Sequence, residues 1–289
     1  MEKTVDTGTQ ASYIPRRGSL ANLPWWAFIL ILAGLGVIFL ILGNNNYRET
    51  FLFLKDGVKV TLEITITAFP IATIIGLFVG LARLSKNPVL QTVSTLYIEI
   101  VRGIPLVVLI LLVAFGLVPL TVELINSLGK LGLSWTNTGI LGEMFNSLAE
   151  FNIRSIPLVW RAIIALASGY GAVEAEVFRS GIQSIGKGQM EAARSLGMSY
   201  LQSMRLIILP QAVRRILPPL GNDFIALLKD SSLATVLAVN ELTQLTRIRR
   251  SSTFRVMEAF NVAAFLYLSM TLLLSGFVRF LERRYKIVE

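Results

Sequence analysis

The chain has 289 residues, of which 54% are hydrophobic and only 16% charged, and its mean hydropathy is +0.65. A soluble domain carries about 25% charge, so this composition points to the membrane class. With no His and no Cys, thiolate and imidazole metal sites, Cys nucleophiles and His-based triads are excluded, and the redox compartment stays unread. The net charge of +9 is weighed first as the cationic bias of inner membrane loops, ahead of nucleic acid.

Residues 1–24 read as a polar N-terminal tail. Residues 25–42 hold no charge, with Trp25 and Trp26 placed as interfacial anchors. GNNNY follows this run where a small-residue cleavage site would belong, so it reads as an uncleaved span. Further spans are expected at 58–84, at 88–117 with a break over Arg102-Gly103-Ile104-Pro105, and at 157–182, 217–238 and 258–281. Residues 118–156 form a long, moderately apolar outer segment whose pieces LINSLGKLGL and ILGEMFNSLAEF read as short helices on the membrane or on a partner. Six spans put both termini on one side. With the N-terminus inside, inner segments hold 14 cationic residues and outer ones 8. Arg247, Arg249, Arg250 and Arg255 dissent from that orientation.

The inner segment 183–216 is too charged to span and reads as helix, break, helix. QMEAARSL favours helix, Gly197 can take the left-handed conformation that ends it, and Ser199 can cap the next. That second helix is expected to stop at Leu209-Pro210, where proline removes a donor. Met190, Ala193, Leu196, Met204 and Leu206 give the segment an apolar surface of the kind that docks into a groove on another protein. A solvated connecting loop is the plain alternative.

A charge in mid-bilayer costs roughly 2.5–3.5 kcal/mol on insertion scales, so those retained face a cavity or a partner. Glu99 and Arg102 are i,i+3 neighbours just before the helix break, expected as an ion pair or as part of a path lined by the broken helix. Glu176 has Arg179 at i+3. Glu174 has no partner on its own helix and is the strongest single candidate for a substrate ammonium or guanidinium. Lys229 and Asp230 fall near the middle of their span and need partners from other helices. Gly181-Ile-Gln-Ser-Ile-Gly186-Lys187-Gly188 approximates a phosphate-binding loop but has Gly188 where the Mg²⁺-binding hydroxyl belongs, and it follows a membrane helix rather than a strand. ATP binding by this chain is rejected.

The inner segment also resembles, at each spacing, the EAA loop of ABC-importer permease subunits: Glu191-Ala192-Ala193, Gly197, then Ile207, Leu209 and Pro210. Six further stretches resemble the polar amino-acid permease branch, among them Arg102-Gly-Ile-Pro-Leu106, Ala175-Glu-Val-Phe-Arg179, Lys187-Gly-Gln189 and Phe224 through Leu233. The resemblance covers residues 57–286. It implies an all-α polytopic bundle, a five-helix core of the MetI-like fold, to which span 25–42 is an addition. It also implies a non-enzymatic transport subunit in the bacterial inner membrane, with both termini cytoplasmic and no cofactor of its own. The implied partners are two cytoplasmic ATPase subunits, a second permease as homo- or heterodimer, an extracytoplasmic substrate-binding protein, membrane lipid and an amino-acid substrate, with no nucleic acid. In such a family the EAA helix is the ATPase-coupling element, here Lys187, Glu191, Ala192, Ala193, Gly197, Ile207, Leu209 and Pro210. The substrate path is assigned to Glu174, Glu99, Arg102, Lys229 and Asp230. Departures from the family pattern are the extra span, the insertion 118–156, and Ile104, Leu109 and Glu174 where Thr, Gln and an apolar residue are usual. The alternative function is an ion- or proton-coupled secondary carrier; it calls for an internal repeat, which is absent, and gives no reason for a docking loop.

Overall fold

The computed structural model describes residues 25–136 and 138–285, and these are helical almost throughout, with no strand. The chain runs through α1 (Trp25–Gly43), α2 (Asn45–Arg83), α3 (Pro88–Gly103), α4 (Leu106–Leu112), α5 (Val118–Trp135), α6 (Gly139–Ala149), α7 (Leu158–Gln183) and α8 (Lys187–Ser195). It continues as α9 (Tyr200–Ser203), α10 (Leu209–Asp230), α11 (Leu242–Thr253) and α12 (Val256–Tyr285). Among the described residues four continuous helices are long and apolar enough to cross a membrane: α2, α4–α5, α7 and α12. The apolar stretch Phe28–Gly43 of α1 is shorter.

The expected span 217–238 is α-helical only as far as Asp230 and continues as a 3₁₀ turn, Ser231–Leu237, so Lys229 and Asp230 end α10 instead of lying mid-span, and the span expected at 58–84 opens already at Asn45. Two further boundaries move for one physical reason. Proline supplies no N–H and clashes with the carbonyl four residues back, so it is expected to end a helix. Here a wider π turn, Val113–Leu117, precedes Pro119, and another, Met204–Ile208, precedes Pro210, and in both cases the helix runs on. The span that opens at Leu106 therefore continues through residue 118 to Trp135, and Pro210 lies in the first turn of α10 instead of closing a loop helix. Pro119 leaves carbonyls before it without a donor. Arg161 fills part of that gap, its guanidinium donating to the carbonyls of Ala114 (3.4 Å), Ile153 (2.9 Å) and Ile156 (3.1 Å). The break at 103–105 is as expected: Ile104 is extended and Pro105 starts α4.

The insertion folds as a helical hairpin, α6 lying back on α5, with Gly132 of α5 against the ring of Phe145 and Gly129 against the backbone at Ala149.

α2 and α7 form the most extensive helix pair, and small residues let their backbones approach. A Cβ on Gly76 would lie 2.8 Å from Cβ of Glu174, and one on Gly171 would lie 2.7 Å from Cγ2 of Ile75. The main core is apolar side chains of α2, α4 and α7 around Ile64, Ile110 and Leu166. A second cluster joins α2, α11 and α12 around Leu54, Leu242 and Val262.

That second cluster encloses a polar knot. Glu241 is fully buried and caps α11, accepting from the N–H groups of Thr243 (2.7 Å) and Gln244 (2.7 Å) and from the Tyr267 hydroxyl (3.0 Å). Burial pushes its carboxyl above the ordinary carboxylate range, with the two N–H donors pulling the other way. A carboxyl raised on folding contributes most below its unfolded value of about 4.3 and loses that contribution as pH rises through the folded value. Glu241→Gln should therefore flatten the fall in Tm with rising pH, measured in detergent between about pH 5 and 8. A wild-type slope in the variant contradicts this.

Candidate functional site

Two regions carry the chemistry, one at each level of the bundle. The first is the loop between α7 and α10. α8 ends in a Schellman motif: Met198 N–H donates to the Ala193 carbonyl (3.2 Å) and Gly197 N–H to that of Arg194 (3.0 Å), with Gly197 at φ +79°. Ser199 then caps α9 in a reciprocal capping box with Gln202. These two devices fix a sharp corner at the tip.

The corner sorts the apolar side chains. Ala193 is buried, and Met190, Met204 and Ile207 pack on a cluster formed by Phe178, Ile185, Ile208 and Ile216. Arg215 donates to the Ser184 carbonyl (2.6 Å) and closes the base of the loop. Leu196 and Leu201 point outward, 82% and 77% exposed, with Tyr200 and Leu206 beside them. Glu191, Ala192, Lys187, Gly197, Leu209 and Pro210 are also exposed. Of the eight positions assigned to coupling, Ala193 and Ile207 thus anchor the unit while the others face outward.

The second region is a cavity of about 310 Å³ beside the broken end of α3, walled by Val101, Arg102 and Ile104, by Leu109 of α4, by Tyr170 and Val173 of α7, and by Asp223, Ala226 and Asp230 of α10. The Tyr170 hydroxyl donates to Oδ2 of Asp230 at 2.8 Å, linking α7 to α10 across it. Asp223 keeps one buried oxygen without a donor. One cation and two carboxylates therefore face the same space, which suits a small zwitterion.

The five path residues expected from sequence are not all brought together. Arg102 and Asp230 line the cavity. Lys229, in the last turn of α10, is exposed and outside the cavity lining. The i,i+3 pair of Glu99 and Arg102 does not form; Glu99 lies 3.9 Å from Arg83, the last residue of α2. Arg83 also pairs with Glu176, which holds Arg179 at 2.7 Å as expected from the spacing. Glu174 is 0% exposed, wedged against Gly76, and outside the cavity lining, although it follows Tyr170 by one helical turn. Neither of its oxygens has a hydrogen-bond partner; the nearby Thr73 hydroxyl donates instead to the Phe69 carbonyl at 2.9 Å. Tyr170 and Asp223 join the site without having been assigned to the path from sequence, Asp223 having been placed near the inner end of its span.

Residues 72–287 match the family described as binding-protein-dependent transport system inner membrane component. The chain belongs to this family. A probable amino-acid ABC transporter permease of Bacillus subtilis, YckA, is 35% identical over 237 residues, 82% of this chain and 91% of that one. The glutamine transport system permease GlnP of Escherichia coli K12 is 34% identical over 81% of this chain and 94% of its own length. Among solved structures, an amino acid ABC transporter with histidines shares 35% identity and a TM-score of 0.64 over 82% of this chain and 95% of that chain. The MetNI methionine transporter, at 18% identity and a TM-score of 0.57, shares the fold. As a permease of this family the chain is a multi-pass membrane transport subunit, and ATP is hydrolysed in a separate subunit.

Proposed function

We propose that this permease imports a polar amino acid delivered by an extracytoplasmic binding protein, driven by two ATPase subunits that dock on residues 187–210. The observation that carries this reading is the tip of the α8–α9 unit: Leu196, Leu201 and Leu206 stand exposed on a corner fixed by a Schellman motif and a capping box, while Ala193 and Met190 anchor it. Exposed leucines on a rigid corner outside the spans suit a helix-in-groove contact. The cavity supports the amino-acid class, with Arg102 placed for a carboxylate and Asp223 and Asp230 for an ammonium.

In this reading the coupling end is cytoplasmic, both termini lie on that side in the inner membrane of a bacterium, and a second permease completes the path. Its test is purification from native membranes in mild detergent, with every bound chain identified. An ATPase at one copy per permease is the expected result. A lone chain that transports in vesicles without ATP would overturn the reading in favour of a secondary carrier.

A further inference from the structure

The arginines that break the charge bias cluster on α11 and just beyond it, and the fold puts them at the end remote from the coupling element. Gly57 of α2 lies against the backbone of Leu242, and Arg249 reaches Glu49, also on α2. The coupling loop hangs instead from the far end of α7, which Arg83 joins to α2 through Glu176. Glu49 and Arg83 stand about 50 Å apart along α2.

Two of the four cations are engaged within the fold. Arg249 donates to Glu49 at 3.1 Å and lies over the ring of Phe53, and Arg255 pairs with the same carboxylate at 3.4 Å. One acid thus serves both; Glu241 is buried as the helix cap, and Glu258, in the first turn of α12, forms no ion pair with these arginines among the described residues. Arg247 makes a single neutral contact, to the Thr235 hydroxyl at 3.3 Å, and Arg250 makes no side-chain hydrogen bond or ion pair among the described residues. Both are exposed, and Arg247 shares an open groove with Gln244, Ser251 and Ser252. Of the apolar side chains of α11, Leu242 and Leu245 are turned inward against α2 and α12, and Ile248 is exposed.

We propose that this face of α11, with Arg247 and Arg250 at its centre, is the seat of an acidic surface on the substrate-binding protein. The inference rests on the importer reading above, which places that protein at this end. A helix that lies in lipid headgroups buries a row of Trp, Phe or Leu from its exposed face, whereas the exposed face of α11 carries Ile248 alone, with Phe254 standing off its C-terminal end at the cap. Unpaired cations at a rim act by steering an oppositely charged partner, which raises its association rate and makes it salt-dependent.

The test uses the permease–ATPase complex in liposomes, with ATP hydrolysis followed against the concentration of the binding protein that stimulates the wild type. Reversing both charges (Arg247→Glu with Arg250→Glu) is expected to leave basal hydrolysis intact and to raise the half-stimulating concentration about tenfold or more. The salt dependence of that concentration should flatten, and Arg247→Lys with Arg250→Lys should stay near the wild type. As a second measurement, the chain has no Cys, so Ser252→Cys gives a single labelling site that saturating binding protein should shield from a membrane-impermeant thiol reagent. Stimulation of the charge-reversed complex at wild-type concentrations overturns the proposal. So does a defect that disappears when anionic lipid is replaced by phosphatidylcholine, since the patch would then read lipid headgroups. A wild-type complex that no binding protein stimulates removes the importer reading and this inference with it.

Discussion

Gly197→Val should cut ATP-driven uptake by about tenfold or more while leaving the permease folded in the membrane. The backbone at Gly197 has φ +79°, where a side chain costs roughly 1–2 kcal/mol and a β-branched one more. Nothing lies within 4 Å of the position a Cβ would take, so the substitution acts through backbone strain with no clash and no loss of core. The strain falls on the corner that aims Leu196 and Leu201, and relieving it breaks the Schellman bonds from Met198 and Gly197. Since the base of the loop is held separately by Ala193, Ile208 and Arg215, the bundle has no reason to unfold. Asn tolerates the left-handed region, so Gly197→Asn should retain coupling where valine loses it. Equal, wild-type hydrolysis stimulated by substrate in both variants would dismiss residues 187–210 as the docking element.

The same corner shows what was legible before the structure. Gly197 and Ser199 have local causes, a positive φ and a side-chain cap, and local causes can be read from sequence. Apolar run lengths outlined α1, α2, α7 and α12, but neither the end of α10 at Asp230 nor the run of the third span on to Trp135. Pro210 was expected to stop a helix and does not, because whether proline ends a helix depends on whether the turn before it can widen; the same widening carries the third span past Pro119, where Arg161 donates to the Ala114 carbonyl. Charge pairing was legible only within one helix. Glu176 and Arg179 meet as the i,i+3 rule has it, whereas Glu99 turns to Arg83 on another helix, a contact no spacing encodes. The cavity was half visible for the same reason: Arg102 and Asp230 stood out as charges, but Tyr170 became part of it only once α7 and α10 were placed side by side.

Glu174→Gln should lower uptake of basic amino acids about tenfold while changing that of neutral ones little, and should not lower the Tm. The carboxylate is 0% exposed with both oxygens unpartnered, packed where Gly76 lets α2 approach α7. A carboxyl buried there without a partner is a cost to the resting structure in either protonation state, and a neutral amide of the same shape costs no more. A substrate cation met at another stage of transport would recover that cost. The route to one is short, because Tyr170, one turn away on the same face of α7, already lines the cavity, as does the adjacent Val173. A modest sliding of α7 against α2 would carry Glu174 into that space, and a substrate guanidinium or ammonium would gain a partner there that a neutral side chain has no use for. The two readouts separate recognition from packing: a structural role moves the Tm and both substrate classes together, whereas recognition moves the basic class alone. Equal uptake of basic and neutral amino acids by Glu174→Gln would remove this residue from the path, leaving Arg102, Asp223 and Asp230 to carry it.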